Sequence, residues 1–175
     1  YPKKTKQISC IASSRHSHRL NYIKSLFKGH NNKRDCCSGI TLELYGRGHV
    51  GSDYAGQFRG ALEYDGLCKL KGLIDYEYSI AMENSQQKNY FTEKLADVYL
   101  SWTVPLYWGA PNISDYFPEK SYHIIDINHK DPVSEIREII NNAPDVEALS
   151  IARDVILDKT NIWEVIRVKI KEIER

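Results

Sequence analysis

The sequence has no acidic residue before Asp35. Residues 1–34 hold nine Lys or Arg, whereas the other 141 residues carry 15 basic against 23 acidic side chains, so a formal net charge of +1 conceals two segments of opposite sign. An acid-free basic segment suits an anionic ligand or a solvated basic surface. Nucleic acid fits less well: aromatic residues are not interleaved with the basic ones, and no zinc-finger, basic-zipper or RNA-recognition signature occurs. Cysteine is scarce, with four residues (Cys10, Cys36, Cys37, Cys68) and no C-x-x-C. Adjacent Cys36 and Cys37 are poor partners for each other, and reduced thiols are expected. His16 and His18 have no third and fourth ligand at site spacing, so no metal site is expected. Long apolar runs are also missing. None approaches the roughly 20 residues that span a bilayer, so a soluble chain with neither a signal peptide nor a membrane segment is expected.

What is present fits one domain of ordinary size: 175 residues, 42% of them apolar, enough to bury roughly 70% of the unfolded surface. An enzyme that clasps a nucleotide sugar between two domains needs about twice this length, so half an enzyme is expected, with C-terminal helices from about residue 146. Strand-like segments fall at residues 7–12, 40–45, 76–82, 104–108 and 122–127. Helical periodicity falls at 20–27, 90–100 and 132–141, the last opened by Asp131 with proline at its first position. Residues 146–174 continue with a helical pattern bent near 159–161. Residues 111–120 read as a loop with a helical turn, and 46–72 carry little readable pattern beyond glycines. Strands alternating with helices predict an α/β fold, a Rossmann-like doubly wound parallel sheet that binds ligands beyond the carboxyl ends of its strands.

Two patterns compete for the chemistry. Residues 46–51 (GRGHVG) satisfy G-x-G-x-x-G, but they follow the second strand and no clear helix opens after them. They read as a glycine-rich turn, with an NAD-binding fingerprint as the alternative. Residues 78–109 instead run strand, polar loop, helix start, strand. That arrangement gathers Glu83, Asn84, Glu93 and Lys94 where an α/β sheet presents its ligand, beside helix N–H groups suited to phosphate. On physical grounds this is a nucleotide or sugar-phosphate site, or else an ordinary turn and helix surface.

The run YEYSIAMENSQQKNYFTEKLADVYLSWTVPLYWGAPN resembles the signature of family 10 glycosyltransferases, the α-1,3/4-fucosyltransferases. An aromatic-rich strand ends in Glu-Asn-Ser, followed by Tyr-x-Thr-Glu-Lys and Thr-x-Pro. The Ser-rich residues 13–19 and Tyr45 to Arg47 are similar to the family's earlier motifs. The resemblance covers most of residues 7–130 and absorbs the glycine pattern. It implies the C-terminal, donor-binding half of a two-Rossmann-domain (GT-B) enzyme. That enzyme transfers L-fucose from GDP-fucose, with inversion, to a hydroxyl of an N-acetylglucosamine- or glucose-containing glycan. It further implies Arg19 and Lys94 at the pyrophosphate, with Arg15 in the same loop, Glu93 at ribose or fucose hydroxyls, and Asn84 and Tyr90 near the phosphate or sugar, on a site centred on residues 83–95 that includes Glu83. No cofactor is required, in keeping with the absence of Asp-x-Asp, and Mn²⁺ is an optional stimulant. The acceptor glycan and the general base belong to a missing N-terminal domain, so this chain alone is expected to bind donor and transfer nothing. A bacterial-type cytoplasmic address, at the inner membrane surface if attached, is expected over the Golgi, whose members usually carry cysteine pairs. A non-catalytic nucleotide-sugar-binding module stays open.

Overall fold

A computed structural model describes residues 1–27, 40–50, 54, 57–63, 68–160, 166, 167, 170 and 171. Five strands form one parallel sheet: β1 (Lys6–Ile11), β2 (Leu42–Tyr45), β3 (Tyr76–Met82), β4 (Val104–Trp108) and β5 (His123–Ile124). Their spatial order is β2-β1-β3-β4-β5. The central strands are buried on both faces and so read as nearly continuous apolar runs; in β3 only Glu77 is not fully buried. Helices α1 (Ser17–Phe27), α2 (Cys68–Lys71), α3 (Glu93–Leu100), α4 (Pro132–Ile140) and α5 (Val146–Asp158) accompany the sheet. With β2 on one side of β1 and all later strands on the other, the winding reverses between β1 and β3. The carboxyl ends of that pair form the crevice where such sheets bind ligands.

Local chemistry sets most boundaries. Thr92, Asp131 and Asp145 cap α3, α4 and α5, each accepting a hydrogen bond from a backbone N–H of the first turn, which satisfies donors a helix start leaves open. Strands β3 and β4 and helix α4 lie where the sequence pattern puts them, α4 ending one residue early. Helix α3 does not. Tyr90 and Phe91 fit its apolar stripe, yet the helix starts at Glu93 because Thr92 takes the cap position. Helix α1 starts three residues earlier than its periodicity suggests. The strand expected over residues 122–127 shrinks to His123–Ile124 at the sheet edge, and residues 111–120 form two short 3₁₀ turns, Ile113–Asp115 and Glu119–Ser121. Helix α5 stops at Asp158, close to the expected bend, and residues 161–165 lie outside the described residues.

The core is rich in tyrosine. Tyr22, Tyr54, Tyr76, Tyr78, Tyr99 and Tyr107 are among the largest fully buried side chains, and a buried hydroxyl must find a partner or lose about 1–3 kcal/mol. Tyr78 donates to Asn142 O at 3.0 Å, Tyr99 pairs with Ser121 Oγ at 3.0 Å, and Tyr107 accepts from Ala110 N at 2.9 Å. Tyr76 donates to Glu43, which also receives Arg59 at 2.6 Å and Lys6 at 3.1 Å and so ties edge strand β2 to its neighbours. Cys10 is buried and free; Cys36 and Cys37 lie outside the described residues.

Candidate functional site

The crevice between β1 and β3 is built on Glu83, the first residue after β3. Its N–H donates to Trp108 O at 2.8 Å, carrying the β3–β4 pairing one residue past the strand. Its side chain has no exposure, and a buried carboxylate persists only with partners. Glu83 Oε1 accepts from Thr92 N at 2.8 Å, and Oε2 accepts from Thr92 Oγ1 at 2.8 Å and Lys94 Nζ at 3.4 Å. Thr92 Oγ1 in turn accepts from Lys94 Nζ at 3.0 Å. Strand end, helix cap and lysine are thereby one unit.

Arg19 approaches from the other side. It lies in the first turn of α1, is only 5% exposed, and donates from Nη1 to Met82 O at 3.3 Å. Arg19 and Lys94 thus hold consecutive residues at the end of β3, Met82 and Glu83. Burial lowers the Arg19 pKa, while Cys10, Glu83 and Tyr90 act the other way; the guanidinium stays charged. Its Nε has no partner among the described residues. The amino ends of α1 and α3 open towards the same crevice, adding N–H groups and partial positive charge. The arrangement is a cradle for an anion.

His16 marks how strongly cations converge here. Arg19 above all, with partial burial, His18, Lys94 and Arg15, holds its pKa below the usual value. Its ring lies 6.0 Å from that of His18, which lies 5.1 Å from Trp108 at the end of β4. Among the described residues, no three His, Cys, Asp or Glu side chains gather as a metal site.

The sequence-derived candidates therefore separate. Arg19, Glu83 and Lys94 come together, with Tyr90 close enough to act on the Arg19 charge. Asn84 is exposed on the loop after β3. Glu93 turns outward, its side chain 58% exposed, and pairs with Lys69 at 3.7 Å and Lys94 at 3.5 Å. Arg15 is exposed while Arg19 is buried. Helical spacing carries the signal that separates them: Arg19, Tyr22, Ile23, Leu26 and Phe27 form the buried stripe of α1, which extends Tyr22 and Ile23 back by one turn. Sequence reasoning missed the turn at Asn89. Asn89, at φ 64°, receives Asn112 Nδ2 and Tyr116 OH, each at 2.8 Å, and its N–H donates to Asn112 Oδ1 at 2.9 Å. Asn is one of the few residues that tolerates that backbone region, and this was its one visible sign.

The chain is similar to the α-(1,3)-fucosyltransferase FucT of Helicobacter pylori, 39% identical over 67 residues, which are 38% of this chain and 14% of that protein. It is similar to the zebrafish (Danio rerio) GDP-fucose protein O-fucosyltransferase 3, 28% identical over 107 residues, 61% of this chain and 23% of that one. It also matches a putative fucosyltransferase-like protein of Arabidopsis thaliana, 32% identical over 119 residues, 67% of this chain and 19% of that one. The chain thus spans less than a quarter of each of these relatives. Among solved structures, an α1,3-fucosyltransferase with GDP-fucose superposes with a TM-score of 0.53 at 24% identity, over 86% of this chain and 38% of that one. A glycosyltransferase of avilamycin A biosynthesis gives 0.59 at 12% identity over 98% and 50%. These superpositions establish a shared glycosyltransferase fold. The model of the C-terminal part of glycosyltransferase family 10 matches residues 1–143, and the chain belongs to that family, the fucosyltransferases.

Proposed function

We propose that the chain is the donor-binding domain of a fucosyltransferase that carries L-fucose from GDP-fucose to a hydroxyl of an N-acetylglucosamine- or glucose-containing glycan, with inversion. The observation that carries the reading is that buried Arg19 and half-buried Lys94 hydrogen-bond consecutive residues at the end of β3. A solved fucosyltransferase of similar fold holds GDP-fucose, and two fixed cations beside helix N–H groups suit a diphosphate.

In the reaction the acceptor oxygen attacks the anomeric carbon, its proton passes to a general base, and the bond to the β-phosphate breaks with its electrons leaving on GDP. Negative charge grows on the departing diphosphate. Fixed cations stabilise that charge more in the transition state than in the ground state. Glu83 holds Lys94 in place from below, so the pyrophosphate meets a pre-set ammonium. Tyr90 and Asn84, on the loop between β3 and α3, are the groups offered to the phosphate or sugar, and Glu93 at the mouth is offered to ribose or fucose hydroxyls. Among the described residues no donor set for Mn²⁺ gathers here: Glu83 is occupied by Thr92 and Lys94, and Glu93 is paired with two lysines. No step needs it. The general base and acceptor surface belong to a second domain.

Calorimetric titration of GDP-fucose into the wild-type chain, Lys94→Ala and Arg19→Ala tests the assignment. A charge-assisted hydrogen bond is worth about 1.5–3 kcal/mol, so each substitution is expected to weaken binding by roughly 10- to 150-fold. Affinity unchanged in both variants would overturn the site. Thermal stabilisation by NAD and not by GDP would instead support a dinucleotide site at Gly46–Gly51.

A further inference from the structure

The glycine-rich turn after β2 has a place in this site. Gly46 and Gly48 adopt φ values of 146° and 81°, which side chains other than hydrogen rarely permit. A Cβ on Gly46 would collide with Ala12 O, and one on Gly48 with Ser14 Oγ. The turn therefore lies directly against the loop that joins β1 to α1. Ala12 N donates to Tyr45 O at 2.9 Å and Ser14 N to Arg47 O at 3.1 Å. His49 completes the contact: its Nε2 lies 2.7 Å from Ala12 O and its Nδ1 lies 2.8 Å from Tyr54 Oη. A carbonyl oxygen only accepts, so Nε2 carries the hydrogen, while Nδ1 and the tyrosine hydroxyl share the second hydrogen bond. Tyr54 is 1% exposed and packs edge-on to Phe27 at 5.3 Å, on the far end of the helix that carries Arg19.

We infer that His49 is a positioning residue for donor binding, fixing the β1–α1 loop through Ala12 O so that Arg19 and the first N–H groups of α1 meet the diphosphate in register. The inference rests on the donor-site reading given above. His49 does not touch the ligand; it anchors the loop to a rigid aromatic in the core. A displaced loop would move the guanidinium and the helix N–H groups together, and charge-assisted contacts are strongly distance-dependent.

Two substitutions separate this role from plain stability. Glutamine places an amide nitrogen where Nε2 sits and keeps the bond to Ala12 O while losing the one to Tyr54. Asparagine places its oxygen near Nδ1 and keeps only the Tyr54 bond. His49→Gln and His49→Asn each lose one hydrogen bond and are expected to melt within a few degrees of one another. GDP-fucose affinity, by calorimetry, is expected within about 3-fold of wild type for His49→Gln and about 10-fold weaker for His49→Asn. In the ligand-free chain, amide exchange at residues 14–20 is expected to quicken in His49→Asn only. Equal affinities and equal exchange in the two variants would overturn the inference. A wild-type chain that binds no GDP-fucose would overturn the donor-site reading instead, and the exchange comparison would still decide whether His49 sets the loop.

Discussion

Replacing Glu83 by alanine tests whether the crevice is held together from beneath. The carboxylate serves three donors: Thr92 N, Thr92 Oγ1 and Lys94 Nζ. Alanine leaves Lys94, whose side chain is 22% exposed, with Thr92 Oγ1 at 3.0 Å and the outward-facing Glu93 as its nearest polar contacts. Breaking a fully buried ion pair by deleting one partner costs about 3–5 kcal/mol. The partial exposure of Lys94 places this case near the lower end, and the loosened Thr92 cap adds up to about 1 kcal/mol. The sum is about 3–4 kcal/mol, and at roughly 2–4 °C per kcal/mol for a chain of this size the melting temperature should fall by about 10 °C. Glutamine keeps the acceptor for Thr92 N and loses the counter-ion of Lys94, so about half that loss is expected. Thermal unfolding followed by circular dichroism, with urea titrations to convert shifts to free energy, measures both. Glu83→Ala within 1 kcal/mol of wild type would refute the reasoning, because it would mean that the strand end and the helix cap are not coupled through this carboxylate.

Two further outcomes follow from the same physics. Arg59, then Tyr76 and Lys6, hydrogen-bond Glu43 and outweigh the upward pull of burial, lowering its pKa from 4.5 to about 2. Its stabilisation is present in full above pH 4.5 and is lost as pH falls towards 2. The gap is worth about 3 kcal/mol before screening, and less in salt because Lys6 and Arg59 are 40% and 44% exposed. Urea titrations from pH 6 to 2 should show this decline in the wild type and a shallower one in Glu43→Gln. Asn89→Ala should cost about 2 kcal/mol through strain at positive φ and the lost bonds to Asn112 and Tyr116, with Asn89→Gly recovering the backbone part; equal losses in both would place the whole effect in the side chain.

Much of the fold was legible because its signals are local. Asp131 with Pro132 announces α4, and the apolar run YEYSIAM announces a strand buried on both faces. The start of α3 was not legible, since Tyr90 and Phe91 match the helical stripe and only the tie between Thr92 and a residue nine positions earlier gives the cap its place. The depth of Glu83 was hidden for a related reason. Acids are rarely buried, and nothing in Glu-Asn-Ser says that a lysine and a threonine will enclose the first of them. Arg19 shows the opposite case: sequence alone left it beside Arg15, although the helical stripe already pointed to it. The glycines at 46–51 read as a glycine-rich turn, with an NAD-binding fingerprint as the alternative; what sequence could not show is that Gly46 to His49 lie against the neighbouring loop, a contact set by β2 lying beside β1.

The enclosed tyrosines of the core have an optical consequence. Burial above all raises the pKa of Tyr22, Tyr76, Tyr99 and Tyr107 far beyond the usual value of 10, and that of Tyr78 to about 12. Phenolate forms in these rings only when the chain opens, so the folded state resists their ionisation and, by linkage, loses stability as pH climbs past 10. Phenolate absorbance in the near ultraviolet would then rise in two stages, first from the exposed rings and later, cooperatively, from the buried ones, giving a label-free record of unfolding in alkali.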